Sequence, residues 1–248
     1  MKIAVLSDIH GNLLALESVL EDIQKRRCEK ILFLGDYALA GPEPGDTVNF
    51  CMSLSQRDNI EMIQGNTDKM IAEYSEEVYD NVAQGAPIMA NALKEEAETL
   101  SVNQIEFLRN LPEKKELTID GVKILMVHGS PRRNNEDIMP DTPLDKVEEM
   151  IKDTEADLIL CGHTHIPCGF QTTTEQTVVN DGSVGRPFTD NPEACYVVIS
   201  TTGNGGFEIE HNFVKYDNVQ ASKILANRRF AGADKLAHML IHPTERHF

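Results

Sequence analysis

Seven side chains of cation-binding type occur in short clusters along this sequence: Asp8-Ile9-His10, Gly35-Asp36, Gly65-Asn66, His128-Gly129 and Gly162-His163-Thr164-His165. Two carboxylates, one amide and four imidazoles offer the oxygen and nitrogen donors that suit a pair of divalent metal ions. Each cluster alone is weak. Gly-Asp and Gly-Asn are turn residues, and a histidine at a strand end is more often a satisfied structural residue than a ligand. Their position gives them weight, because each directly follows an apolar run. If those runs are strands of an α/β sheet, their carboxyl ends line one crevice and the seven groups converge there. A strand period of two puts Asp8 and His10 on one face, able to grip a single ion. His163 and His165, on a turn, would serve neighbouring ions, and a carboxylate such as Asp36 could bridge them. Glycines 35, 65, 129 and 162 permit close approach of backbone to ligand.

The elements that must position these groups follow from the apolar pattern. Lys2–Asp8, Lys30–Gly35 and Ile60–Gln64 read as buried strands, with helices over Asn12–Arg27 and Gly45–Arg57 between them. This alternation predicts an α/β fold with right-handed crossovers. Positions 69–115 hold no strand pattern and read as two or three helices, an insertion or lid; Ser101 with Gln104 is a capping-box signal for the last of them. Strands resume at Leu117–Ile119 and Val122–Val127, joined by Asp120-Gly121 as a hairpin. Thr142 as N-cap and Pro143 at the first helical position predict a helix to Asp153. Asp157–Cys161, Gln176–Val179, Tyr196–Ser200 and Phe207–Val214 read as strands, and Asn218–Leu240 as helical, with Ala221–Leu240 a helix pair packing on the sandwich. Without repeats or low-complexity linkers, the expectation is one domain over residues 1–248.

Composition narrows the function classes. The chain has 248 residues, 23 Lys plus Arg and 40 Asp plus Glu, for a net charge of −17. At this length it buries about 70–75% of its extended surface and folds without staples. No apolar run approaches the ~18–20 residues of a membrane span. Five scattered cysteines (28, 51, 161, 168 and 195) form no C-x-x-C pair and suit reduced thiols in the cytoplasm. The acidic balance repels a nucleic-acid duplex, so a phosphate-bearing ligand must be met by a local positive device such as a metal. Nothing in the sequence sets the oligomeric state.

With Ser7-Asp8-Ile9-His10-Gly11-Asn12, Leu34-Gly35-Asp36, Gly65-Asn66-Thr67-Asp68, Val127-His128-Gly129-Ser130-Pro131, Cys161-Gly162-His163-Thr164-His165 and Asn180-Asp181-Gly182-Ser183-Val184-Gly185-Arg186-Pro187, the chain resembles the calcineurin-like metallophosphoesterases, in particular the small bacterial and archaeal phosphodiesterase-type members. The resemblance implies a four-layer sandwich, two mixed β-sheets flanked by helices. It implies that Asp8, His10 and His165 hold one ion, that Asn66, His128 and His163 hold the other, and that Asp36 bridges them. The ions would be divalent or trivalent transition metals, Mn or Fe favoured, with Co, Ni and Zn compatible with the same donors. The expected activity is a phosphodiesterase or nucleotide phosphoanhydride hydrolase acting on a small phosphate-containing substrate. A metal-bridging hydroxide would attack phosphorus in line. The alternatives are a phosphomonoesterase or protein phosphatase, and a non-catalytic scaffold of the same fold; the filled set of seven ligand positions speaks against the scaffold.

The residues expected to carry catalysis are Asp36, Asn66, Asp68 and Arg186. Arg186 could pair with a non-bridging phosphate oxygen or form an ion pair with a carboxylate; Arg132 and Arg133 could border the mouth. Many relatives carry His after the Gly-Asn pair as general acid, whereas this chain has Thr67. A threonine hydroxyl is a poor proton donor near neutral pH, so good leaving groups should react best unless another group, Asp68 or a bound water, supplies the proton. Asn12 reads as an N-cap, and His211, His238, His242 and His247 as structural or solvated. Met70, Tyr74, Tyr79 and Met89 offer apolar and aromatic faces to a base or aryl group, but read first as a stripe packed within the insertion.

Overall fold

Residues 1–244 are described by the computed structural model of the chain; the expectation for His247 lies outside them. The first half runs β1 (Lys2–Leu6), α1 (Leu13–Lys25), β2 (Lys30–Phe33), α2 (Pro44–Leu54), β3 (Ile60–Met62), then α3 (Asn66–Ala72), α4 (Glu76–Gly85), α5 (Pro87–Thr99) and α6 (Val102–Asn110). The second half runs β4 (Lys115–Ile119), β5 (Val122–Met126), α7 (Leu144–Ile151), β6 (Leu158–Cys161), β7 (Cys168–Gln171), β8 (Thr177–Asn180), β9 (Ala194–Thr201), β10 (Phe207–Val214), α8 (Asn218–Ala226) and α9 (Ala233–Met239). Two five-stranded sheets result, ordered β10-β9-β1-β2-β3 and β4-β5-β6-β8-β7. Both are mixed. β1, β2 and β3 are parallel, as are β5, β6 and β8; β9 runs antiparallel to both β1 and β10, β4 antiparallel to β5, and β7 antiparallel to β8.

Strand alternation builds four layers. Ile3 and Val5 of β1, Leu32 of β2 and Val197 and Ile199 of β9 meet Ile124 and Met126 of β5 and Leu158 and Leu160 of β6 in the core between the sheets. Their neighbours point outward. Ala4, Leu6, Ile31 and Phe33 pack beneath α1, α2, α5, α6 and the α8–α9 pair. Leu125, Ile159, Cys161 and Val178 pack beneath Val147 and Ile151 of α7. A period-two strand covered on both faces reads as a continuous apolar run, which is why these strands are legible in the sequence.

Positions 69–115 are helical throughout their central part. Met89, Ala92 and Leu93 of α5 and Leu108 of α6 enter the same core as α1, whereas no residue of α4 is buried. Ser101 and Gln104 form the expected capping box. Two local readings change. The α7 helix begins at Leu144 with Pro143 as N-cap, because the Thr142 hydroxyl is taken by the Met139 N–H at 2.8 Å and caps the preceding turn. β7 carries too weak a signal to read: it has four residues, includes Gly169, follows Pro167 and pairs only along one side, with β8. The C-terminal stretch is the expected helix pair, its two short helices separated by Gly232 in the left-handed region (φ 96°).

Candidate metal centre

All five clusters lie just beyond the carboxyl ends of parallel strands. Asp8 and His10 follow β1, Asp36 follows β2, Asn66 follows β3, His128 follows β5, and His163 and His165 follow β6. Backbone bonds lace these loops together: Asp8 N–H donates to Gly35 O, His10 N–H to Asp36 O, Gly162 N–H to His128 O and Gly185 N–H to Asp8 O. The strand-alternation argument for Asp8 and His10 does not hold, because β1 ends at Leu6. The two side chains meet because Asp8 (φ 53°) and His10 (φ 46°) sit in the left-handed region. Asp36, His163 and His165 do the same, with φ of 60°, 68° and 61°. Non-glycine residues adopt this region rarely and at a cost that the surrounding structure must offset. Five of the seven candidate ligands carry that strain.

Asp8, His10 and His165 form one group of potential ligands, and Asp8, Asp36 and His128 a second, with the ligand atoms of each within 4.8 Å of one another. Asp8 Oδ1 lies 3.2 Å from His165 Nε2, 3.7 Å from His10 Nε2 and 3.9 Å from His128 Nε2. Asp36 Oδ2 lies 3.7 Å from His10 Nε2 and 3.3 Å from His128 Nε2, between the two groups. Asn66 Oδ1 joins at 3.0 Å from His128 Nε2. His163 stands at the rim, its ring 5.3 Å from that of His128.

The imidazoles are oriented for ligation. His10, His128 and His165 place Nδ1 within 2.6–2.7 Å of the carbonyls of Leu39, Leu34 and Arg186. A carbonyl only accepts, so each Nδ1 carries a hydrogen, and in the neutral ring Nε2 turns a lone pair toward the cluster. His10 Nε2 and His165 Nε2 then face each other at 3.1 Å. Two lone pairs at that distance repel unless a cation lies against both. Asp8 Oδ1, fully buried, has no hydrogen-bond partner. Burial opposes the charge on Asp8 and Asp36, yet the histidines around them hold both carboxyls well below the usual range. Burial likewise opposes protonation of His128, but the Asp36 and Asp8 charges overcome it and push the imidazole up to about 10. Burial takes His165 the other way, down to about 4, despite Asp8. The cluster is short of positive charge, and its oxygen and nitrogen atoms are those a metal pair accepts. These residues fit the ions.

Residues outside the seven complete the frame. Ser7 Oγ lies 2.5 Å from Asp8 Oδ2 and 2.7 Å from Asp181 Oδ1. One hydroxyl hydrogen cannot serve both, and burial together with the Asp8 charge raises Asp181 well above the carboxylate range. Ser7 therefore links Asp8 to Asp181, the carboxyl of the two that its surroundings bias toward the protonated form. Asp181 follows β8 by the same strand-end rule as the ligands, a signal the sequence reading did not use. Asp68 lies under the Asp36 loop, its carboxylate accepting from the N–H groups of Asp36, Tyr37 and Gly65 at 2.8–2.9 Å. Burial and the Asp36 charge raise it to about 7. Thr67 donates its N–H to Asp36 Oδ1, and its buried hydroxyl is unpartnered.

Arg186 is 5% exposed, its Nη1 is 3.4 Å from Met89 Sδ, and its Nε has no partner. It is a buried guanidinium in the field of Asp36 and Asp8 rather than a surface ion pair, and burial lowers it to about 10. Met89 brings α5 to the edge of the site, and Phe188 stacks on His165 at 4.5 Å between ring centroids. Arg132 is paired with Glu136 at 2.6 Å. Arg132 and Arg133 line a cavity of about 160 Å³ that reaches His128. Asn12 caps α1 as expected and also donates to Gly185 O. His211 bonds Asn180 O from β10.

The sequence profile of the calcineurin-like phosphoesterase superfamily domain matches residues 1–204. An uncharacterised protein of Methanocaldococcus jannaschii is 31% identical over 245 residues, covering 91% of this chain and 93% of that one. A hypothetical protein of Pyrococcus horikoshii superposes with a TM-score of 0.86 at 24% identity, over 96% of this chain and 97% of that one. A metallophosphoesterase from Sphaerobacter thermophilus superposes with a TM-score of 0.75 at 23% identity, over 97% of this chain and 99% of that one. Matched along most of its length by the family profile, and carrying a buried carboxylate–imidazole cluster at the strand ends of a four-layer sandwich, this chain belongs to the calcineurin-like phosphoesterase superfamily.

Proposed function

We propose that the protein is a metal-dependent phosphoric ester hydrolase whose substrate is a small phosphodiester or a nucleotide phosphoanhydride. One observation carries the reading: a fully buried, unpartnered carboxylate oxygen, Asp8 Oδ1, within 3.2–3.9 Å of three imidazole nitrogens. Asp8, His10 and His165 would hold one ion and Asn66, His128 and His163 the other, with Asp36 between. Bound there, a metal pair of Mn or Fe type polarises a phosphoryl oxygen and lowers the pKa of water. The chain's own residues do the rest. Carbonyls 34, 39 and 186 orient three imidazoles. Asp181 and Ser7 hold one oxygen of Asp8, leaving the other free. Asp68 clamps the Asp36 loop from beneath, a positioning role that accounts for its three backbone bonds. Arg186, with an unpartnered Nε beside the carboxylates, meets the charge of the phosphate.

No group at Thr67 can protonate a leaving oxygen efficiently, which favours aryl esters and anhydrides over alkyl esters. A reducing, cytoplasmic setting belongs to the same proposal, supported by five unpaired cysteines. None of the described helices is long and apolar enough to cross a membrane.

The test compares bis(p-nitrophenyl) phosphate with p-nitrophenyl phosphate after loading with Mn²⁺. Diester turnover at least tenfold above monoester is expected. Preference for the monoester would make the protein a phosphomonoesterase, and turnover of neither with Mn, Fe, Co, Ni or Zn would leave a scaffold.

A further inference from the structure

Three of the four clustered imidazoles are anchored alike and the fourth is reversed. His10, His128 and His165 give Nδ1 to a backbone carbonyl and turn Nε2 to the cluster. His163 instead places Nε2 3.3 Å from Asp137 Oδ1. A carboxylate only accepts, so this nitrogen carries the hydrogen and Nδ1 is the atom left to ligate.

Asp137 is itself 67% exposed, yet the residues on both sides of it are fixed. On one side Glu136 accepts from Arg132 at 2.6 Å and from the Ser130 hydroxyl, while Ser130 N–H closes the turn onto Arg133 O. On the other side Ile138 is 1% exposed, packed with Val147 and Ile151 of α7, and its carbonyl accepts from Cys168 Sγ. Gly129, directly after His128, allows this loop to fold back: a side chain there would overlap the backbone of Arg133, Asn134 and Glu136. The loop that leaves one candidate ligand therefore delivers a carboxylate to another.

We propose that Asp137 is the positioning residue of His163, fixing the Nε2–H tautomer so that Nδ1 is offered to a cation, the reverse of the other three imidazoles. This rests on reading the cluster as a metal centre. Carboxylates that accept from a ligating imidazole set its tautomer and orientation, and their loss typically weakens metal binding ~10–100-fold.

The experiment uses full-length, metal-free protein labelled with ¹⁵N at histidine. Long-range ¹H–¹⁵N correlation near pH 8 should show His163 as the Nε2–H tautomer and His10 and His165 as Nδ1–H. In Asp137→Ala the His163 signature should become a mixture. Asp137→Asn should keep it, since an amide oxygen accepts the same hydrogen. Mn²⁺ titration by calorimetry should show one of two ions weakened about tenfold or more in Asp137→Ala, the other unchanged, and near-wild-type binding in Asp137→Asn. An Nδ1–H tautomer for His163 in the wild type overturns the proposal. So does an Asp137→Ala variant that changes only the melting temperature. Wild-type protein that binds no Mn²⁺ would remove the metal-centre reading, while the tautomer assignment would still decide whether Asp137 holds the ring.

Discussion

Asp8 shows how a single residue type acquires meaning from its surroundings. A carboxylate at 0% exposure with one oxygen unpartnered is expensive. Without an ion the structure compensates by protonating His128, pushed up to about 10 by Asp36 and Asp8 against the effect of burial. An arriving metal must displace that proton. Mn²⁺ binding near pH 7 should therefore release protons, and its affinity should rise with pH by up to about tenfold per unit while His128 is charged. Calorimetry in two buffers of different ionisation enthalpy measures the release directly. Chelation with EDTA should abolish hydrolysis, and added Mn²⁺ should restore it. Asp36→Ala should lose at least ~10³-fold in turnover, because it removes the carboxylate lying between both groups; steady-state kinetics on bis(p-nitrophenyl) phosphate checks this.

Elements matter here chiefly where they end. The strands stop two to four residues before the ligands, and the intervening turns are pinned by side chains that touch no substrate. Asp68, in the first turn of α3, joins that helix to the β2 loop by accepting three backbone hydrogens. Asp68→Asn can satisfy only part of that set and turns an N–H toward donors. It should destabilise the protein by about 1–3 kcal/mol and weaken Mn²⁺ binding through Asp36. Thermal melts and a metal titration separate the two effects. Gly162, after β6, approaches Ser7 and Asp8 so closely that an added methyl would overlap both side chains. Gly162→Ala should lower metal affinity far more than it lowers the yield of folded protein, as measured by calorimetry and circular dichroism.

At the scale of the whole molecule, α5 is tied to the connection between α8 and α9 through buried charge. Glu96 of α5 is fully buried and accepts from Ala40 N–H at 2.9 Å and Arg228 Nη1 at 2.7 Å; Arg228 also bonds Gly41 O and Glu95. This network closes on the loop between Asp36 and α2, whose Leu39 carbonyl orients His10. Arg228→Ala leaves Glu96 buried without its partner and should cost about 3–5 kcal/mol, read as a lowered melting temperature. Burial raises Glu96 to about 7 despite Arg228. Native Glu96 thus holds its proton between about pH 4.5 and 7, where the unfolded chain has released it, so its contribution to stability falls as pH rises through that window. Glu96→Gln, which keeps the hydrogen-bonding shape without the charge, should flatten that slope in denaturant titrations at pH 5 and pH 8.

The sequence by itself determined the α/β class and marked the seven candidate ligands, and its resemblance to the family implied the four layers. Strands buried on both faces leave unbroken apolar runs, and the polar residues that interrupt them mark the strand ends. Tertiary structure alone decided why Asp8 and His10 meet, since left-handed φ values leave no pattern in one sequence. It alone disclosed the partners of the ligands: the carbonyls that set three tautomers, Asp181 behind Ser7, and Asp137 beside His163. Carbonyls are common to every residue, and Asp137 sits in a polar loop among other polar residues, so neither stands out along the chain. Contacts between positions 21 to 174 residues apart are set by where strands bring loops together, and spacing along one chain does not encode that distance.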